Sequence, residues 1–296
     1  MTALRDLIAR PGIAVLPGAY DALTARLVER AGFDGVYLSG AGVSYTHLAQ
    51  PDVGLVTLDE MLRRAEAITA AVRIPVLADA DTGFGNAINV RRTVRAYERA
   101  GLAGIQLEDQ TFPKRCGHLD GKEVIAADEM AGKIAAAAEA RTSRDFVIVA
   151  RTDAIATDGL DAALARLRRY AEAGADVLFA DGPASPEQLE ALPRALPRPV
   201  MANMVEGGKT PLRTAAELER MGYKLVIFPN SLVRLFARQG AALLAALRAS
   251  GTTAGADMLD FDELNDLLGT ADVLATGRRF ADGAQAVPAR PSRQIR

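Results

Sequence analysis

Val76-Leu77-Ala78-Asp79-Ala80-Asp81-Thr82-Gly83 joins a short apolar run to two carboxylates and a glycine. A run of this length, apolar at consecutive positions, suits a strand buried on both faces, as in a parallel sheet. Residues i and i+2 of a strand point the same way, so Asp79 and Asp81 can face one direction at its end. Segments with helical spacing flank it at 58–71 and 87–100, and the second closes on Ala100-Gly101. Glycine is a common helix stop because it takes the left-handed conformation at little cost.

The same unit recurs along the chain. Short apolar runs occupy 13–16, 35–39, 76–80, 104–107, 146–150, 177–180, 199–202 and 225–228. Amphipathic segments at 21–31, 58–71, 87–100, 128–140, 160–173, 185–192 and 214–221 separate them. Strands alternating with helices in this number predict a (β/α)8 TIM barrel, with an open doubly wound sheet as the alternative. Polar residues follow nearly every run: Asp21, Ser39, Asp79 with Asp81, Glu108, Arg151 with Asp153, Asp181, Asn203 and Asn230. A barrel gathers such residues at one mouth, whereas an open sheet strings them along an edge, and this favours the barrel.

Beyond Leu232 the chain carries more helical pattern than an eighth barrel helix needs. Leu235, Leu243, Leu244 and Leu247 form one stripe, and Phe261, Leu264, Leu267 and Leu268 another. Such surplus has to be buried across the barrel or on a neighbouring subunit. The expected organisation is one barrel domain over 1–296. Within it, helices at 232–275 pack on a partner and a basic tail at 283–296 is frayed.

Composition narrows the class. The 296 residues are 49% hydrophobic, ample for a sizeable core, and the net charge of −2 offers no field for nucleic acid or an anionic membrane. No run approaches a membrane span, and the start MTALRDLIARPG lacks the apolar centre of a signal peptide. One cysteine makes neither an intramolecular disulfide nor a thiolate zinc cage. A reducing compartment, most simply the cytoplasm, is expected.

Two stretches carry the chemistry. Asp79 and Asp81 repel each other unless a cation lies between them or one binds a proton, and carboxylates with waters are the ligands Mg²⁺ prefers. Glu108, ending the adjacent run, can supply a third oxygen. The competing reading makes these acids helix caps. The second stretch, Pro113-Lys114-Arg115-Cys116-Gly117-His118, holds the only cysteine and one of the two histidines. Cations beside a thiol lower its pKa and mark a reactive rather than a packed cysteine. His118 can hold the loop, contact a carboxylate or tune the thiol, while His47 reads as structural. Ser39-Gly40-Ala41-Gly42 suits either an anion nest or a plain turn. Arg151 offers a carboxylate fork and Asn203 a neutral donor, and the glycines of Glu206-Gly207-Gly208-Lys209 suggest backbone close to a ligand.

These motifs resemble the isocitrate lyase/phosphoenolpyruvate mutase superfamily. Pro113 to His118 followed by Gly121-Lys122 is similar to its gating loop. Asp79-Ala-Asp-Thr-Gly-Phe-Gly-Asn86, Gln106-Leu-Glu-Asp109, Ala150-Arg-Thr-Asp153 and Asn203-Met-Val-Glu-Gly-Gly-Lys-Thr-Pro211 match in order. So do Pro17-Gly-Ala-Tyr-Asp21 and the Ser39-Gly40 turn. The chain looks like the short-chain branch that includes methylisocitrate and 2,3-dimethylmalate lyases, without the large insertion of true isocitrate lyases.

The resemblance implies that Ser39, Gly40, Ala41, Asp52, Gly117, Arg151, Asn203 and Asp181 contact a small carboxylate substrate. It implies that Tyr37 lies near the reacting hydroxyl, that Asp79 contacts Mg²⁺ (or Mn²⁺) with Asp81 and Glu108 in its shell, and that Lys114, Cys116, Gly117 and His118 ride on a closing loop. It further implies a homotetramer of helix-swapped dimers. One departure stands out, since the sixth run ends in Asp181 where the lyases usually have Glu. The expected activity is cleavage of a 2-hydroxy-2-alkyl di- or tricarboxylate to pyruvate and a carboxylic acid. The alternatives are a phosphonomutase, an oxaloacetate hydrolase or decarboxylase, or a catalytically silent dicarboxylate-binding barrel.

Overall fold

The structure, a computed structural model, describes residues 3–117 and 121–281. His118 and the expected tail at 283–296 lie outside the described residues. Eight parallel strands form one sheet: β1 (Ala14–Ala19), β2 (Val36–Leu38), β3 (Val76–Asp79), β4 (Gly104–Glu108), β5 (Val147–Thr152), β6 (Val177–Ala180), β7 (Met201–Asn203) and β8 (Leu225–Phe228). Their order is β6-β5-β4-β3-β2-β1-β8-β7. A parallel bridge from Leu178 to Val200, just ahead of β7, joins the two edges. The sheet is a (β/α)8 TIM barrel, and the open-sheet alternative falls.

Alternation along the strands makes two cores. Outward residues such as Leu38, Ala78, Ile105, Ile148 and Val226 pack under the surrounding helices. Inward residues Leu16, Tyr37, Leu77, Val149, Phe179, Met201 and Ile227 fill the barrel. Leu4 and Leu7 of an unexpected short helix, Leu4–Ala9, join this inner core at 0% and 1% exposure. The inner positions lead by steps of two to polar residues: Leu77 to Asp79, Val149 to Arg151, Phe179 to Asp181 and Met201 to Asn203. That periodicity, rather than any loop, aims the polar residues into one mouth.

The helices follow local signals. Leu58–Ala71 begins where Thr57 and Glu60 form a reciprocal capping box. Ala22–Arg30 begins at Asp21, which accepts from the Thr24 amide at 2.8 Å. Asp21 is therefore a cap and takes no part in the mouth.

By contact, residues 1–245 form one compact unit and 246–296 a second. In the first, the helix that starts at Ser231 leaves Leu235, Phe236 and Leu244 exposed. In the second, the helices Phe261–Leu268 and Thr270–Ala281 bury Leu267 and expose Phe261, Leu268 and Leu274. No helix among the described residues is long and apolar enough to cross a membrane.

Candidate active site

Asp79 stands at the end of β3, nine-tenths buried. Its Oδ1 accepts from the Asp81 amide at 3.2 Å and from Gln106 Nε2 at 3.4 Å. Burial, and then Asp81, push its carboxyl up to about 6. Gly40 lets the backbone approach this group, because a Cβ there would stand 2.9 Å from Asp79 Oδ2. Asp81 itself is left-handed, with φ 46°, a conformation Asp tolerates better than most residues. Lys133 steadies the same turn by donating to the Thr82 carbonyl at 3.0 Å. On β4, burial pushes the Glu108 carboxyl well above its usual range, and Glu108 Oε1 is buried without a partner.

The loop after β4 reaches into the mouth at both ends. Lys114 Nζ donates to Asp52 Oδ1 at 2.5 Å and lies 2.8 Å from Asp81 Oδ1, off that oxygen's hydrogen-bonding direction. The Cys116 amide donates to the Asp52 carbonyl at 3.0 Å. Lys122 Nζ donates to the Gly117 carbonyl at 2.8 Å and to Asp153 Oδ1 at 2.7 Å. Gln110 holds Arg115 through its amide and carbonyl, each at 2.9 Å.

Arg151 is the centre of the opposite wall. It binds Asp153 with two parallel hydrogen bonds of 2.8 and 2.9 Å, and lies 3.3 Å from Glu108 and 3.4 Å from Asp181. Its guanidinium stacks 5.4 Å above the Phe179 ring. Arg151 and Lys122 together hold the Asp153 carboxyl down at about 2 despite complete burial. Asp181 accepts from Asn203 Nδ2 at 3.3 Å. Behind this wall, Asp109 accepts from Thr152 at 2.6 Å, Tyr170 at 2.8 Å and the Asp153 amide at 3.0 Å.

These groups surround a cavity of about 40 Å³ lined by Tyr37, Ser39, Ala41, Asp52, Asp79, Lys114, Cys116, Gly117, Arg151, Asp181 and Asn203, among others. Cys116 is a half-buried thiol outside any disulfide. Around the cavity Asp52, Asp79, Asp81, Glu108, Asp153 and Asp181 outnumber Lys114, Lys122 and Arg151 two to one. Buried negative charge in excess takes up protons or a cation. The unpartnered Glu108 Oε1 and the oxygen-only donors suit Mg²⁺. Among the described residues no three His, Cys, Asp or Glu side chains converge into a complete cage.

Some expectations change with the geometry. Tyr37 lines the cavity, where burial and then Asp79 raise its phenol well above the usual range. Ser39 caps the short helix Gly40–Val43, accepting from the Gly42 amide at 3.0 Å, and donates to Asn230 Oδ1 at 3.3 Å. His47 lies at the surface, 3.4 Å from Glu60 and 3.2 Å from Arg64. Lys122 and Gln106 had no assigned role in the sequence reading. Their signal was their place inside motifs that the resemblance matched, Gly121-Lys122 and Gln106-Leu-Glu-Asp109.

A TIM barrel with carboxylates, a guanidinium and a thiol-bearing loop at one mouth has the groups of an enzyme that handles small anions. Residues 4–248 match the family model described as phosphoenolpyruvate phosphomutase, and the chain belongs to that family, within the isocitrate lyase/phosphoenolpyruvate mutase superfamily. It is 49% identical over 282 residues to 2,3-dimethylmalate lyase of Eubacterium barkeri, covering 95% of this chain and 98% of that one. It is 46% identical over 273 residues to 2-methylisocitrate lyase of Aeropyrum pernix, covering 91% and 87%. Among solved structures, oxaloacetate acetylhydrolase with the inhibitor 3,3-difluorooxalacetate superposes at a TM-score of 0.90, with 37% identity and coverage of 96% and 97%. Phosphonopyruvate hydrolase in complex with oxalate and Mg²⁺ superposes at 0.85, with 33% identity and coverage of 94% and 98%.

Proposed function

We propose that this protein is a Mg²⁺-dependent carbon–carbon lyase that cleaves a 2-hydroxy-2-alkyl di- or tricarboxylate to pyruvate and a carboxylic acid. The observation that carries the reading is Cys116 on the wall of a cavity whose other walls hold the Asp79 carboxylate and the Arg151 fork. Binding alone needs no thiol there, which weighs against a silent barrel. The named lyases at 46% and 49% identity support the same reading.

Asp79 would contact Mg²⁺, or Mn²⁺ in its place, with Asp81 and Glu108 in its shell through water. When bound, the ion would offset the charge of the neighbouring carboxylate and of the alkoxide left when the 2-hydroxyl gives up its proton. Ser39, Gly40, Ala41, Asp52, Gly117, Asn203 and Asp181 would line the bound carboxylate substrate. Tyr37 donates to the oxygen that becomes the ketone. Glu108, whose buried Oε1 has no hydrogen-bond partner, is the candidate to take the hydroxyl proton. The bond between C2 and C3 breaks, its electron pair going to C3 and onto the adjoining carboxylate. Arg151 favours that charge. Cys116 then gives its proton to C3, and Lys114 and His118 hold the loop that keeps water out.

Pyruvate release, coupled to lactate dehydrogenase, from 2-methylisocitrate, 2,3-dimethylmalate and oxaloacetate tests this with and without Mg²⁺. Release from the hydroxy acids that depends on the ion is expected. The match to oxaloacetate acetylhydrolase favours a second reading, hydrolysis of oxaloacetate to oxalate and acetate, which that assay separates by giving no pyruvate. A homotetramer of helix-swapped dimers would bury Phe236, Leu244 and Phe261, and light scattering after size exclusion reads it directly.

A further inference from the structure

Beside the inner cavity lies an outer chamber of about 280 Å³, and the two share Asp52, Cys116, Val205 and Asn230. Tyr45, Pro51, Gly207 and Gly208 complete its less polar walls, with Glu206 and Arg234 at the rim. Cys116 thus stands between two compartments. If it protonates C3, the inner cavity holds the pyruvate half, and what C3 carries extends outward.

The charges in the outer chamber decide what that substituent can be. Its one lining cation, Arg234, is committed: Nη1 donates to the Glu206 carbonyl at 2.7 Å and lies 3.3 Å from Glu206 Oε2. Glu206 Oε1 accepts from Ser231 at 2.7 Å, which fixes the acid in place. Asp52 is held by Lys114. An incoming carboxylate would meet two acids and no uncommitted cation among the lining residues, while an alkyl group would meet Val205, Pro51 and the Tyr45 ring.

Resting on the lyase reading above, we propose that the outer chamber takes the C3 substituent of the substrate and selects an alkyl group over a carboxymethyl group. At about 280 Å³ the chamber also has room for chains longer than methyl. Val205, where the two compartments meet, and the Glu206–Arg234 pair are the specificity-determining residues.

Two substrates isolate the question, because 2,3-dimethylmalate and 2-methylisocitrate differ only in carrying methyl or carboxymethyl at C3. The test is kcat/KM for both, and for 3-ethyl-2-methylmalate, in the full-length enzyme with Mg²⁺ and in Glu206→Gln. The wild type should prefer the dimethyl compound by about 100-fold and accept the ethyl compound within about tenfold. Glu206→Gln removes an acid and loosens Arg234, so it should raise the relative use of 2-methylisocitrate about tenfold. Equal or better use of 2-methylisocitrate by the wild type overturns the inference and leaves the lyase reading standing. No pyruvate from any of the three overturns both.

Discussion

Lys114 Nζ, on the loop, lies 2.8 Å from Asp81 Oδ1, on the rim proposed to hold the metal. The same ammonium donates to Asp52, so one buried cation ties the loop to both β3 and the segment after β2. Removing one partner of a buried ion pair costs about 3–5 kcal/mol, because the others stay buried and unpaired. Lys114→Met should therefore unfold at lower denaturant and lose about 100-fold or more in kcat/KM. A variant with wild-type stability and rate would show that the pair ties nothing together.

Gly117 packs where no side chain fits. A Cβ at this position would run into Asp181 Oδ2 and stand 2.8 Å from Arg151 Nη2. Gly117→Ala should hold the loop away from the mouth and lower kcat by about tenfold or more, with thermal stability close to wild type, since the loop adds little to either core. An unchanged kcat would mean that closure does not require this contact.

The raised Asp79 carboxyl makes a prediction about pH. With a folded pKa near 6 and an unfolded value near 3.8, the metal-free protein binds the extra proton only when folded between those values. Stability from this group therefore rises as pH falls from 7 through 6 towards 4, and falls as pH rises. Metal binding competes with that proton and should weaken below pH 6. The melting temperature of the metal-free protein, compared with Asp79→Asn between pH 5 and 7.5, checks the sign. The wild type should gain relative to the variant as pH falls, and a gain with rising pH would contradict the assignment.

Much of this fold is written in short-range patterns, and what escaped depends on distance. The helix at 58–71 matches its expected bounds because Thr57 and Glu60 lie three residues apart and mark its start locally. The fifth run was expected to stop at 150, yet β5 continues to Thr152 because Arg151 pairs with Phe179 and Thr152 with Ala180 on β6. Polar residues look like a strand's end unless the neighbouring strand is known. The Asp79/Asp81 rim and the Cys116 loop were legible because rare residue types clustered there. Lys122 was not, because its partners Asp153 and Asp181 are 31 and 59 residues away. Tyr37 lines the cavity, and its proton affinity comes from burial and Asp79, which no single-strand pattern reveals.

The most direct measurement is kcat for pyruvate release by Cys116→Ala, with 2,3-dimethylmalate or 2-methylisocitrate and saturating Mg²⁺. A positioned general acid is worth about 10²–10⁴-fold, so kcat should fall by that factor while KM changes little. A variant that keeps near-full kcat would contradict Cys116 as the proton donor.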